Sequence, residues 1–69
     1  MVNYVRKIRQ VRKLGEEELA KQVGVTRACI NMISNSRRLP SLPLALRISE
    51  TLGVNVGDLW ELEKSDRST

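Results

Sequence analysis

Apolar side chains recur along this chain in bursts three and four positions apart, and each burst is closed by glycine or small polar residues. That rhythm predicts short helices rather than strands. Val5, Ile8 and Leu14, with Val11 as a further member, mark the inner face of a first helix from about Tyr4 to Lys13, behind a cap at Asn3. Its other side carries Arg6, Lys7, Arg9, Arg12 and Lys13. Gly15 breaks this helix. Glu16, Glu17 and Glu18 open a second one, where carboxylates suit the positive end of the helix dipole. Leu19, Ala20 and Val23 form its buried stripe, and Gly24 is a stop that tolerates a left-handed backbone.

Thr26 then caps a third helix, Arg27 to Ser34, whose inner face is Ile30 and Ile33. Two short helices thus meet across a turn of about three residues, a helix-turn-helix connection. Small Ala20 permits a close crossing. The third helix turns Arg27, Ala28, Asn31, Met32 and Asn35 outward, a face that can lie in a DNA major groove.

The loop from Asn35 to Pro40 carries Arg37 and Arg38. Ser41 caps a fourth helix that tolerates Pro43 in its first turn and presents Leu42, Ala45, Leu46, Ile48, Ser49 and Leu52 inward, until Gly53 ends it. Asn55 and Asp58 have the spacing of a capping box for a short fifth helix holding Leu59, Trp60 and Leu62. The pattern therefore predicts an all-α domain of five helices over residues 1–64, followed by a polar, frayed tail at 65–69. An aliphatic core this small gains from dimerisation, and Trp60 with Leu62 is the candidate contact. An equally weighted alternative has Trp60 closing its own core.

Composition narrows the function. At 41% hydrophobic and 29% charged the chain is that of a folded soluble protein, with no apolar run near membrane-spanning length and no signal peptide, so it is expected in the cytoplasm. One cysteine and no histidine leave neither a disulfide nor the usual metal and acid–base sets, so neither an enzyme nor a cofactor is expected. Cys29 reads as a partly buried packing residue, with a thiol that reports oxidation at the DNA face as the lesser alternative. Residues 1–38 hold nine Lys and Arg against three Glu, whereas residues 39–69 hold three against five acidic groups. The half with the helix pair is the basic half, as a phosphate-facing surface requires.

The run Glu17-Glu18-Leu19-Ala20-Lys21-Gln22-Val23-Gly24-Val25-Thr26-Arg27, with Leu39-Pro40-Ser41-Leu42, Ala45-Leu46, Ile48 and Leu52-Gly53-Val54, resembles the phage-repressor-like, Cro/CI-type (XRE-type) helix-turn-helix regulators. The resemblance spans Asn3 to Leu62. It implies a five-helix DNA-binding domain, dimeric on a palindromic operator, with Thr26 to Asn35 as recognition helix. Thr26 would donate to a phosphate; Arg27, Ala28, Met32 and Asn35 would lie against the groove; Asn31 has the amide that suits adenine; and Arg37 and Arg38 would meet the backbone.

Some positions depart from that family. Ala28 and Met32 stand where polar readers are common, which implies contact with thymine methyl groups instead. Glu16 stands where a phosphate-contacting glutamine is frequent, and a carboxylate there needs a neighbouring cation. Ser34 replaces a glutamate that pairs with the arginine of the first helix, leaving Arg9 to a carboxylate, a carbonyl or solvent. Ser36 replaces a frequent glycine, implying a strained or rerouted loop. Gly15 replaces a Ser or Thr cap. The leading expectation is a homodimeric transcriptional regulator, a repressor, of double-stranded DNA. The alternative is an antitoxin or adaptor that binds a protein partner, with DNA binding secondary.

Overall fold

A computed structural model describes residues 2–61 and runs β1 (Val2–Asn3), α1 (Val5–Val11), α2 (Glu16–Val23), α3 (Arg27–Ser34), α4 (Leu42–Leu52), α5 (Val56–Leu59) and β2 (Trp60–Glu61). Five helices are present as the apolar rhythm predicts. The expected tail at 65–69 and the candidate contact Leu62 lie outside the described residues. None of the described helices is long and apolar enough to cross a membrane.

The core is wholly aliphatic. Val5, Leu19, Ala20, Val23, Ile30, Ile33, Ile48, Leu52 and Leu59 form one buried cluster, and Ile8, Leu14, Val25, Cys29, Leu44, Val54 and Trp60 pack around it. Cys29 is thus half-buried packing, as its place in the pattern predicts. Three residues expected inward are not. Val11 is 70% exposed at the end of α1, and Leu42 and Leu46 are 67% and 46% exposed on α4, which buries Ala45, Ile48, Ser49 and Leu52 instead. A stripe 100° wide needs about three positions per two turns, and on α4 these are Ala45, Ile48, Ser49 and Leu52, on a helix that packs against α2. Leu44, expected on neither face, packs at the core's margin.

The fifth helix is shorter than the pattern implies. The predicted capping box is present, with the Asn55 N–H donating to Asp58 Oδ2 at 2.9 Å, but the helix ends at Leu59. Trp60 leaves it with an extended backbone and pairs antiparallel with Asn3, as Glu61 does with Val2. This two-residue pairing joins the two ends of the described chain. Asn3 extends the join: its Oδ1 accepts from the Val5 N–H at 2.8 Å, and its Nδ2 donates to the Ile33 carbonyl. The cap expected at Asn3 falls at Tyr4, which makes no side-chain cap bond, and α1 spans Val5–Val11 rather than Tyr4 to Lys13; Asn3 instead fastens the start of α1 to the end of α3.

Helices α1, α3 and α4 end in the same way, with a donor bonded five residues back: Leu14 to Arg9, Arg37 to Met32, Val54 to Ser49; Val25 to Ala20 does the same for α2. Each such ending places one residue in the left-handed region. Gly24 and Gly53 take it freely at φ 80° and 71°, but Lys13 and Ser36 adopt it as non-glycines at φ 56° and 60°. The strain expected at Ser36 is therefore real, and α1 has a second instance. Gly15 begins α2 with no side-chain cap.

Relief of that strain is measurable. Lys13→Gly is expected to raise stability by roughly 1 kcal/mol, the left-handed cost removed less the entropy glycine adds to the unfolded chain. Ser36→Gly gains less, because it also loses the bond from Asn3 Nδ2 to Ser36 Oγ at 3.3 Å. Urea unfolding checks this order; a Lys13→Gly protein no more stable than the parent contradicts it.

Candidate nucleic-acid interface

The geometry of α3 is set at its start. Gly24 turns left-handed, Val25 tucks against the core, and Thr26 takes an extended backbone with its Oγ1 accepting from the Cys29 N–H at 3.2 Å. The helix therefore begins at Arg27 as the sequence predicts. The Thr26 hydroxyl keeps its proton free to donate outward. Ile30 and Ile33 are fully buried beneath α3, which packs chiefly on α2, so the opposite face has nowhere to go but solvent.

That face carries the expected residues. Thr26, Arg27, Ala28, Asn31 and Asn35 are exposed, and Met32 is half-buried at its edge. Arg37 and Arg38 follow, both exposed, in the loop leading to α4. Eight positions chosen from sequence are thus brought onto α3 and the segments flanking it. Trp60, by contrast, lies half-buried in β2, packed against the core.

A polar line crosses this face. Arg6 Nη2 donates to Asn35 Oδ1, Asn35 Nδ2 donates to Asn31 Oδ1 at 3.3 Å, and Asn31 Nδ2 donates to Glu16 Oε2 at 3.0 Å. The other Glu16 oxygen stands 3.6 Å from Arg27 Nε. Glu16 thereby has the neighbouring cation that its position demands. In the sequence Glu16 stands out only as a departure from the family pattern and Arg6 only as a cation on the outer side of α1, and neither belongs to the expected site. Glu16 is fifteen residues from Asn31 and Arg6 twenty-nine from Asn35. No local periodicity links such pairs; only the crossing of α1 and α2 over α3 does.

Arg9 shows what the absent glutamate costs. Its Nη1 donates to the Leu14 carbonyl at 3.1 Å, so a carbonyl is the partner found, while its Nε and the Ser34 Oγ are both buried with no partner among the described residues. Arg6, Arg9 and Arg27 also border an open hollow of about 490 Å³ at the uncapped start of α2, beside Glu16, Glu17 and Glu18. Backbone N–H groups at such a helix end favour an anion. The flanking glutamates oppose one.

Known proteins share this architecture. The helix-turn-helix family model matches residues 5–59. An HTH-type transcriptional regulator of Methanocaldococcus jannaschii is 35% identical over 66 residues, covering 96% of this chain and 100% of the relative. One of Methanothermobacter thermautotrophicus is 40% identical over 65 residues, covering 93% and 94%. YgzD of Bacillus subtilis, another HTH-type transcriptional regulator, is 33% identical over 66 residues, covering 96% and 100%. Among solved structures, the P22 c2 repressor protein in complex with a synthetic operator superposes with a TM-score of 0.79 at 26% identity, over 83% of this chain and 86% of that one.

Proposed function

The chain belongs to the helix-turn-helix family, of the Cro/CI or XRE type, and is a DNA-binding transcriptional regulator; from that premise we propose that it acts in the cytoplasm as a homodimeric repressor, setting the outer face of α3 into the major groove of a palindromic operator. The observation that carries this reading is the α3 surface itself: Arg27, Ala28, Asn31 and Asn35 lie exposed on a helix whose other side is locked into the core. The P22 c2 repressor, similar in fold, is held on a synthetic operator in its own structure, and that similarity supports the same class of ligand here.

Roles follow from chemistry. Asn31 offers the amide that pairs with adenine N6 and N7, Ala28 and Met32 offer methyl contacts to thymine, and Arg27 reaches a phosphate or a guanine edge. Thr26, Arg37 and Arg38 ground the helix on the backbone, and Asn35 closes the far end of the face. Residues 5–59, over which the family model matches, act as one domain.

One α3 reads half a palindrome, so a second copy is needed, its α3 about 34 Å away. The surface that suits this role adjoins the loop that follows α3. Leu39 and Leu42, 68% and 67% exposed, border a hollow of about 270 Å³ with Pro40, Ala45, Val56 and Trp60. Exposed leucines beside a tryptophan are an apolar patch that a partner copy would cover. Trp60 packs against the core, as the alternative expectation has it, and in this proposal its remaining exposed part shares the contact with Leu39 and Leu42.

Three experiments test these proposals. In selection from a random duplex library the chain is expected to enrich a palindrome; unenriched output contradicts the regulator and favours a protein-binding module. On the enriched site Asn31→Ala costs about 1–3 kcal/mol and spares random DNA, whereas Arg37→Ala and Arg38→Ala weaken binding to every sequence and flatten the salt dependence. Leu42→Glu, at an exposed position that the core does not use, is expected to abolish dimers in sedimentation equilibrium and to weaken binding to the palindrome far more than to a half-site; dimers that persist contradict the assigned surface.

A further inference from the structure

The polar line over α3 has a direction. Glu16, as a carboxylate, can only accept, and Arg6, as a guanidinium, can only donate. Between them stand two amides, Asn31 and Asn35, and one arrangement satisfies every contact: each nitrogen toward Glu16 and each oxygen toward Arg6. Turning Asn31 over would set its oxygen against the Glu16 carboxylate and its NH2 against that of Asn35. The ends of the line therefore fix the sense of its middle.

We infer that Glu16 is a specificity-determining positioning residue, which orients the Asn31 amide for its base and holds Arg27 back from indiscriminate phosphate contact. The inference rests on α3 being the reading helix. It goes beyond that reading, in which Glu16 has no role. Within the line Asn31 uses one N–H, to Glu16, and one oxygen lone pair, from Asn35. One N–H and one lone pair remain, the complement of adenine N7 and its N6 amino group.

Arg27 supplies the second half of the argument. Its side chain is 70% exposed while that of Glu16 is 16% exposed, so a partly buried carboxylate faces an open guanidinium at 3.6 Å. A pair this open is weak and DNA phosphate can displace it. The carboxylate's repulsion of phosphate falls on all sequences alike, whereas the orientation of Asn31 counts only where the matching base stands opposite. Both effects raise discrimination, one by lowering random binding and the other by sharpening the reading.

Glu16→Gln separates these effects from folding. It keeps length and an acceptor oxygen, and the sense of the line survives through Arg6 and Asn35, but Asn31 is then held by a neutral bond in place of a charge-assisted one and Arg27 loses its counter-charge. The chain, Asn31→Ala and Glu16→Gln are each put through selection from a random duplex library and then titrated against random duplex over a salt series. Asn31→Ala is expected to erase preference at one base pair per half-site. Glu16→Gln weakens the preference at that same pair, keeps the others, and binds random duplex about tenfold more tightly with a salt slope steeper by about 0.9, one added phosphate contact by the freed Arg27. In the free protein the Asn31 side-chain amide resonances move in Glu16→Gln while those of Asn3 stay. If Glu16→Gln retains the parent preference at the Asn31 pair, or those resonances do not move, Glu16 does not position Asn31 and the inference fails while the function stands. If the parent enriches no sequence, the reading of α3 itself fails and takes the inference with it.

Discussion

Burial of the aliphatic seam between α2 and α3 is the constraint on which the remaining structure depends. Leu19, Ala20 and Val23 on one side and Ile30 and Ile33 on the other are all nearly or fully buried, and they join across a corner of three residues, Gly24, Val25 and Thr26. The corner leaves no slack: a left-handed glycine and a capping threonine fix where α3 starts and therefore which side of it faces out. With no aromatic residue in the buried cluster, the packing comes from branched aliphatic shapes meeting at short range. Function is the other side of the same restraint. An α3 free to roll about its axis would present no fixed set of side chains to a groove.

What the sequence revealed was whatever its local chemistry decides. The starts of α2, α3 and α4, their buried stripes, and the exposed set from Thr26 to Asn35 follow from spacing, caps and glycines within a few residues. The misplacements arose where tertiary contacts decide. Leu42 and Leu46 share the period of the buried residues on α4, but the helix turns its smaller Ala45 and Ser49 toward the interior. Trp60 carries no signal that separates a last helical turn from an edge strand; its pairing with Asn3 is contributed by the opposite end of the chain. Glu16, Arg6 and Asn3 escaped for the same reason, since each acts through a partner on another helix.

Electrostatics refine the picture that net charge alone suggests. The basic excess in residues 1–38 is real, but on the α3 face part of it is countered internally by Glu16, and Arg9 turns inward to a carbonyl. The charge left for general attraction to DNA then sits with Arg37, Arg38 and the exposed side of α1, around a central surface that is polar and methyl-bearing. That division gives a reader whose grip and whose discrimination reside in different side chains.

The most direct test of the account is a backbone amide NMR titration of the protein with a duplex that it selects. The account predicts that shifts concentrate at Thr26 to Asn35 and at Arg37 and Arg38, with the solvent face of α4 moving only as far as dimer formation requires. Shifts that gather on α4 and leave α3 unchanged would contradict it.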